Sequence, residues 1–259
     1  MFKKIRELYE YRTMISSLVH RELRGKYKAS ALGFLWSFIN PLLQLLVYTM
    51  VFSVIMRNGI ENYYMFLFVA LIPWIFFSTC VSGGCNCILG QKDLVVKIYF
   101  PREVLPVAYT TSQFVNMLLS FIVIFAVLAV SGIGFSIAAL AYLPIVFIIE
   151  YILSLGFVFM FSALTVYVRD LQNILMILTM AWQFLTPVMY STEAVPERFR
   201  PIFRLNPMTP VIDAYRDILY YKQTPHLGEL FVSFVFGAVF LVISVLVFEK
   251  LQKRFAEHL

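Results

Sequence analysis

The sequence predicts an all-α polytopic membrane protein with six transmembrane helices. Of its 259 residues, 61% are apolar and only 14% are charged, whereas soluble domains carry about 25% charged residues. The apolar residues form six runs, each near the roughly 20 residues that a helix needs to cross a bilayer. This composition excludes an ordinary soluble protein, so residues 1–259 are predicted to form a single membrane domain.

Residues 1–30 are basic and amphipathic. Apolar side chains recur at helical spacing between Leu8 and Val19, and eight Lys or Arg residues supply positive charge. A helix of this kind lies in the lipid headgroup layer, where each basic side chain gains about 1 kcal/mol against anionic lipid. We therefore predict an N-terminal interfacial helix, after which Gly33 allows the chain to bend into the bilayer.

The six apolar runs define the predicted spans. They cover residues 35–56, 63–89, 107–130, 140–168, 171–190 and 230–248. Pro73 should kink the second helix, and Pro187 should bend or end the fifth. Between the third and fourth spans, residues 131–134 form a short uncharged turn.

Two of the spans carry polar side chains along one helical face. These residues recur at spacings of three and four, and they are Ser37, Asn40, Gln44 and Tyr48 in the first span and Thr179, Gln183, Thr186 and Tyr190 in the fifth. Polar groups that faced lipid would lack hydrogen bonds, so both rows should face protein or water. Two interpretations stay open: the rows line a hydrophilic conduit, or they only join neighbouring helices, at about 0.6 kcal/mol per hydrogen bond.

Glu150 lies near the middle of the fourth span, with no Lys or Arg at helical spacing from it. An intramembrane carboxylate is costly, which makes it a functional candidate. The alternative is a protonated glutamic acid that forms a hydrogen bond between helices. The sequence is compatible with both interpretations.

Residues 91–106 form a charged segment between the second and third spans. Three of its five charges are Lys or Arg, which favours the cytoplasmic face of the membrane. Four apolar residues at helical spacing predict a short amphipathic helix that Pro101 and Pro106 stop. The four are Leu94, Val95, Ile98 and Tyr99. The segment is either a solvated loop that fixes topology or a docking helix through which a cytosolic partner moves the spans.

Residues 191–227 are the longest interruption between apolar runs. They are rich in proline and in charges of both signs, yet they keep many apolar side chains. We predict two short helices that dip into the outer interface of the membrane. The second helix should cover about residues 207–221, with Asn206 as its cap.

Positive charges are distributed unevenly between the two sides of this topology. Fifteen of the 21 Lys and Arg residues fall on the side of the two termini, and six fall on the other side, where six acids balance them. Because Lys and Arg favour the cytoplasmic side, both termini are predicted to be cytoplasmic in a multi-pass protein of a bacterial cytoplasmic membrane. The net charge of +6 follows from this topology and does not require a nucleic-acid partner.

Several kinds of chemistry have no motif in the sequence. It contains no G-x-x-x-x-G-K-[ST] phosphate loop, no Gly-rich dinucleotide turn and no His/Cys set at metal-binding spacing. The three histidines are isolated, and Cys80, Cys85 and Cys87 are interpreted as small buried side chains. We expect no metal and no cofactor on this chain, and any ATP-driven step needs an ATPase on another chain.

Four stretches resemble the permease subunits of bacterial ABC exporters for cell-surface polysaccharides, a group that includes the O-antigen, teichoic-acid and capsule exporters. The stretches are RELRGKYKASALGFLWSFINPLLQLLVYTMVFS, KIYFPREVLPV, VYVRDLQN and LNPMTPVIDAYRDILY, and they follow in order along nearly the whole chain. The cysteine-bearing stretch CVSGGCNC matches no motif of that group.

The resemblance implies a homodimeric permease bound to two copies of a separate ATPase, which would hold ATP and Mg²⁺. The pair would export a polysaccharide attached to undecaprenyl diphosphate or a related membrane lipid. Leu32 and Gly33 would form the turn between the interfacial helix and the first span. Residues 91–106 would be the main coupling loop, and Arg169 and Asp170 a smaller contact with the ATPase.

The resemblance also implies roles for individual side chains. Coupling to the ATPase would fall to Lys97, Phe100, Pro101, Arg102 and Glu103. Residues 191–227 would form re-entrant helices at an outer gate, whose candidate residues are Phe199, Asn206, Pro207, Tyr215 and Arg216. Because a sugar polymer is rich in hydroxyl groups and must slide without being held, the two polar rows suit a conduit for it.

Three other classes of protein compete with this interpretation. A drug or small-molecule exporter of the same architecture would more often show an apolar cavity than two polar rows. A membrane-embedded transferase for lipid-linked sugars would need clustered acids or histidines, and Glu150 is the only acid at mid-membrane. A structural scaffold has no need of the charged segment 91–106.

Overall fold

The computed structural model describes residues 2–25, 32–55, 59–132 and 134–258. All regular secondary structure in these ranges is helical, which confirms the predicted all-α class. The predicted end of the interfacial helix at residues 26–30, the end of the first span at Met56 and the charge of Arg57 lie outside the described residues. So do Ile133 and Leu259.

Within the described residues, five helices are long and apolar enough to cross a membrane. They are Trp36–Ile55, Tyr63–Gly84, Val104–Val130, Ile137–Tyr167 and Leu227–Arg254. The chain therefore folds as a multi-pass helical protein. The fifth predicted span is shorter than these five, because its helix covers only the 14 residues Leu171–Phe184.

The helices follow one another along the chain with short connections. In order they are α1 (Phe2–Glu10), α2 (Arg12–Gly25), α3 (Trp36–Thr49), α4 (Tyr63–Gly84), α5 (Lys92–Lys97), α6 (Val104–Val130), α7 (Ile137–Leu140), α8 (Leu143–Tyr167), α9 (Leu171–Phe184), α10 (Arg200–Leu205), α11 (Met208–Leu219), α12 (Leu227–Leu251) and α13 (Phe255–His258). A π-helical turn, Met50–Ile55, extends α3.

Two predicted boundaries were wrong. The second span ends at Gly84, because residues 85–88 turn before a 3-10 turn at Leu89–Gln91. Pro106 does not stop a helix, since it lies in the first turn of α6. Proline is tolerated there because the amide group that it lacks would have no partner within the helix.

α4 is the central helix of the bundle. Most of its side chains are buried, and α3, α6, α8, α9 and α11 all pack against it. A helix that is apolar all round must be surrounded by protein or lipid, and here protein supplies most of the cover. α3 is the opposite case, since only Ser37 and Pro41 are buried along it.

α8 and α12 form the most extensive pairing of two helices. A methyl group added at Gly156 of α8 would lie 3.3 Å from the backbone of Leu241, and one added at Gly237 of α12 would lie 3.5 Å from the backbone of Leu153. Small residues allow two backbones to approach closely, which is how helices commonly associate in membranes. This pairing holds the last helix against the core.

The bundle has two ends, which we define by their segments. The loop end carries α2, residues 91–103, the last turns of α12 and α13, and a buried apolar cluster joins these elements. The far end carries residues 185–226 and the first turn of α4. The N-terminal helix α2 and the C-terminal helix α13 therefore lie at the same end of the bundle.

Candidate functional site

The segment at residues 91–103 forms a short helix followed by an exposed corner. α5 ends at Lys97, and Ile98 is already extended. Val95 is buried, but Tyr99 is 98% exposed. The prediction that Ile98 and Tyr99 share the apolar face of the helix was therefore wrong, because the helix stops before them. Lys97 forms an exposed ion pair with Asp93, 3.4 Å apart, which adds little stability.

Other predicted coupling residues lie against the C-terminal segment. Arg102 donates a hydrogen bond from its guanidinium group to the backbone oxygen of Gln252. The Gln252 side-chain amide donates to Glu103 Oε1 over 2.9 Å. Phe100 is buried in the apolar cluster of the loop end, and Pro101 is half-buried. These contacts fix the exposed corner at Tyr99 to the end of α12.

The C-terminal segment also contacts the second turn at the loop end. The Tyr167 hydroxyl donates to the backbone oxygen of Leu251 over 2.7 Å, and its ring lies 4.5 Å from the His258 ring. Arg169 and Asp170, which follow Tyr167 after one intervening residue, are exposed. The segment 251–258 thus contacts both the 91–103 segment and the end of α8, next to the turn at Arg169 and Asp170. Sequence reasoning missed this role, although Phe255 is an apolar signal within a charged tail.

Only part of the predicted polar row on α3 is exposed on the surface. Leu32 and Gly33 form a turn in which Gly33 has φ +47°, a conformation that favours glycine. Along the helix, Ser37 is buried and Tyr48 is half-buried against the core, whereas Asn40 and Gln44 are exposed. Two amide side chains of the predicted row therefore lie on the surface of the protomer.

The polar row of the fifth predicted span divides into buried and accessible residues. Thr179 is buried and donates to the backbone oxygen of Leu175 over 2.8 Å. Thr186 is fully buried and donates to the backbone of Trp182. Both hydroxyl groups are satisfied inside the protomer. Gln183 and Tyr190 are half-buried, and the Tyr190 hydroxyl donates to the backbone oxygen of Phe184.

α9 ends at Phe184, and the chain continues as a non-helical turn that Arg216 holds in place. Arg216 is buried on α11, and its guanidinium group donates to the backbone oxygens of Pro187, Val188 and Tyr190. Its carbon Cζ lies 3.7 Å from the centre of the Phe66 ring. Burial lowers the pKa of Arg216 to about 10, so the group stays charged at neutral pH.

Asn206 connects the same turn to the start of α11. Its Oδ1 accepts from the backbone N–H of Met208 and from Trp182 Nε1, and its Nδ2 donates to Thr186 Oγ1 over 2.8 Å. The adjacent Pro207 offers its backbone oxygen to Ser233 on α12. Phe199 is exposed under the guanidinium group of Arg198. Of the five predicted gate residues, Asn206, Pro207 and Arg216 therefore contact other elements, whereas Phe199 is exposed. The fifth, Tyr215, contacts Glu150.

Glu150 of α8 meets Tyr215 of α11 inside the bundle. The Tyr215 hydroxyl donates to Glu150 Oε2 over 2.5 Å, and both side chains are fully buried. Among the described residues, Glu150 Oε1 has no hydrogen-bond partner. The rings of Phe121 and Phe147 pack against Tyr215. The geometry agrees with the interpretation of Glu150 as an acid that bonds between helices, and the sequence did not predict its partner.

Comparison with known proteins identifies the family. A family model described as "ABC-2 type transporter" matches residues 13–220. The chain is 36% identical over 261 residues to an O-antigen export system permease protein RfbA of Myxococcus xanthus, with all of both chains covered. It is 30% identical over 242 residues to an RfbA protein of Klebsiella pneumoniae that carries the same description, with 93% of each chain covered.

A more distant relative is a polysialic acid transport protein, KpsM, of Escherichia coli. It is 23% identical over 209 residues, which cover 78% of this chain and 80% of that one. The family match extends from the start of α2 to the end of α11 and so includes segments at both ends of the bundle. From this match and the helical fold, we conclude that the chain belongs to the ABC-2 type transporter family.

Proposed function

We propose that the chain is the membrane-spanning subunit of an ATP-driven exporter that moves a lipid-linked polysaccharide across a bacterial cytoplasmic membrane. The observation that carries this proposal is the 36% identity to an O-antigen export permease along the whole of both chains. Of the two other relatives named above, one is likewise described as an O-antigen export permease and the other as a polysialic acid transport protein. O-antigen-like, capsule and teichoic-acid polymers are all within this class.

ATP hydrolysis belongs to a separate subunit in this proposal. The sequence has no phosphate-binding loop, so ATP and Mg²⁺ would be bound by two copies of a cytosolic ATPase. The surface that would receive them is the loop end. Lys97 and Tyr99 are exposed there, and so are Arg169 and Asp170 in the turn after α8. A movement of this corner would be transmitted to α12 through the contacts of Arg102 and Glu103 with Gln252.

Six crossings fit the fold better than five. The terminal helices α2 and α13 lie at the same end of the bundle, which requires an even number of crossings. α9 begins directly after the loop-end turn at Arg169, and the turn that follows α9 contacts Tyr63 and Arg216 at the far end. We propose that α9 and residues 185–190 together make the fifth crossing, with α10 and α11 as re-entrant helices. Lys and Arg then favour cytoplasmic termini.

A second copy of the chain would complete the conduit. Asn40 and Gln44 are exposed on a helix of membrane-spanning length, where lipid could not satisfy their amide groups. A polar conduit between two protomers would give these groups water and sugar hydroxyls as partners. Gln183 and Tyr190 would contribute from the fifth crossing. We propose a homodimer on this basis.

The proposal is tested by deleting the gene in its native host. We expect surface polysaccharide to disappear and to return with the wild-type gene on a plasmid. Sensitivity to a panel of drugs should not change. Normal surface polysaccharide in the deletion strain, together with increased drug sensitivity, would instead identify a small-molecule exporter of the same architecture.

A further inference from the structure

A cavity of about 480 Å³ lies at the far end, outside the conduit rows and the coupling surface. The 3-10 turn Thr192–Ala194, the helices α10 and α11 and the first turns of α12 form its walls. Its volume falls within the roughly 300–1,000 Å³ of small-molecule sites. A cavity of this size at a membrane surface has room for a ligand rather than for a few water molecules.

One buried hydroxyl group in its lining has no partner. Thr209 lines the cavity and is 5% exposed, and its Oγ1 forms no hydrogen bond with any described residue. Other buried threonines, such as Thr110 and Thr179, donate to the backbone of their own helices. The hydroxyl groups of Thr49 and Ser154 also lack a partner among the described residues, but they do not line this cavity. Because an unsatisfied buried polar group is costly, the position of Thr209 in the cavity wall points to a partner that is bound only at times.

The other polar lining groups suit a ligand with several hydroxyl groups. Asp213 accepts from the Thr192 hydroxyl over 2.8 Å and retains further acceptor capacity. Glu193 and Glu229 are exposed acceptors at the rim. Arg200 also lines the cavity, where its guanidinium group donates to the backbone oxygens of Val195 and Glu193. Burial raises the pKa of Asp213 to about 6, against the opposing effects of Arg216 and Thr192. The carboxylate thus lies in an environment where further hydrogen bonds would stabilise it.

An aromatic ring lies beside these polar groups. Phe203 of α10 lines the cavity, and its ring centre is 6.3 Å from that of Tyr190. The C–H face of a sugar ring packs well on an aromatic face, while its hydroxyl groups reach the polar neighbours. Tyr190 also belongs to the proposed conduit, so the cavity opens beside the outer end of that path.

The charges of the lining restrict the ligand further. Three carboxylates, Glu193, Asp213 and Glu229, line the cavity with one guanidinium group, that of Arg200. Nearby, Arg216 lies 3.8 Å from Asp213 and Glu197 lies 3.8 Å from Arg200. Four carboxylates against two guanidinium groups leave an excess of negative charge, so an acidic sugar would be repelled. A divalent cation is a poor alternative, because no three His, Cys, Asp or Glu residues in the described ranges are grouped to hold a metal ion.

We propose that this cavity binds an uncharged sugar unit of the exported polymer as it leaves the conduit, and that it selects neutral glycans over acidic ones. The proposal rests on the function proposed above and names the substrate class. It assigns Thr209 as a donor and acceptor to the sugar, Phe203 as its stacking face, and the carboxylates as the groups that exclude acidic polymers.

The test uses the full-length chain, purified in lipid nanodiscs. The probes are neutral hexasaccharides of glucose, galactose and mannose, and a hexamer of galacturonic acid, with binding measured by saturation-transfer NMR. We expect at least one neutral probe to bind in a saturable manner and the acidic hexamer not to bind. Thr209→Val should weaken neutral binding by about fivefold or more, while thermal stability stays equal or rises because an unsatisfied hydroxyl is removed.

Two further variants complete the test. Thr110→Val, which removes a satisfied hydroxyl near the loop end, should leave sugar binding unchanged. The double variant Glu193→Gln with Glu229→Gln changes two exposed residues and should allow the acidic hexamer to bind. The inference is overturned if wild type binds no neutral probe, if it binds the acidic hexamer equally well, or if Thr209→Val binds like wild type. Any of these results leaves the gene-deletion test of export unaffected.

Discussion

The Tyr215 hydroxyl donates a 2.5 Å hydrogen bond to Glu150 Oε2 between α11 and α8, with both side chains fully buried. This contact attaches the far-end helix α11 to the long apolar helix α8. It joins two residues 65 positions apart that the sequence singled out for different reasons, one as an intramembrane acid and one as a gate residue. It therefore fixes the position of α11 relative to α8 in the core of the bundle.

Replacing Tyr215 with Phe should destabilise the fold by roughly 1–3 kcal/mol, because the Glu150 carboxyl group then loses its donor in a buried site. Glu150→Gln keeps the volume and an acceptor for Tyr215, so stability and surface polysaccharide should both be maintained. Thermal unfolding of the purified variants and a surface-polysaccharide blot measure the two effects. Loss of all activity in a stable Glu150→Gln protein would favour the membrane-embedded sugar transferase.

Arg216→Met should destabilise the far end by about 3–5 kcal/mol. The change leaves Asp213, 3.8 Å from the guanidinium group, without its buried cation and removes the donors to the turn after α9. Arg216→Lys should recover only part of this loss, because an ammonium group cannot reproduce the planar set of donors. The measurement is the yield of monodisperse protein in size-exclusion chromatography.

The control for Arg216 is Arg198→Met, in which an exposed guanidinium group stacked on Phe199 is removed. It should leave the yield unchanged, since exposed charges contribute little. Equal yields for the variants at 216 and 198 would contradict the role assigned to the buried guanidinium group.

Tyr99→Ala should weaken binding of the ATPase by about tenfold or more, because exposed tyrosines are frequent anchors of protein interfaces. Stability should not change, since the side chain is 98% exposed and contributes little to packing. Co-purification of the two subunits from one operon measures the effect. Tyr221→Ala, exposed at the far end, is the matched control, and equal retention of the ATPase by both variants would remove Tyr99 from the coupling surface.

Gln44→Leu combined with Gln183→Leu should block export while the protein still assembles with its ATPase. Both changes remove amide groups from the proposed conduit without loss of volume. Leu46→Met and Leu178→Met, exposed on the same two helices, serve as controls and should export normally. Surface polymer of normal amount and length in the double glutamine variant would show that these side chains do not line the path.

Hydropathy was sufficient to predict the helical class and the positions of the long helices, because a lipid solvent imposes apolar runs of fixed length. Pro187 indicated that the fifth helix bends or ends there, but not that α9 already ends at Phe184. The turn that follows α9 is held through its backbone oxygens by Arg216, which lies far along the chain. Local sequence patterns do not indicate a contact between residues that are far apart in the chain.

The same limit applies to the candidate sites. The charged segment 91–106 and the polar amides of α3 are visible as patterns of residue type. The attachment of Glu103 to Gln252 is not, because the two residues are 149 positions apart and Gln252 lies outside every stretch that carries the family resemblance. The predicted place of Tyr99 on the apolar face of a helix was wrong, because the helix ends at Lys97 and helical spacing does not apply to the residues beyond it.

The most direct test of the account is the side of the membrane on which lipid-linked polymer accumulates. Spheroplasts of the deletion strain would be treated with a glycan-cleaving enzyme that cannot cross the membrane, and the surviving lipid-linked polymer would be quantified. We predict that the polymer is made but protected in the deletion strain, and becomes cleavable when the wild-type gene is restored. Absence of the polymer from both faces of the membrane, or full cleavage without the gene, would contradict an export function.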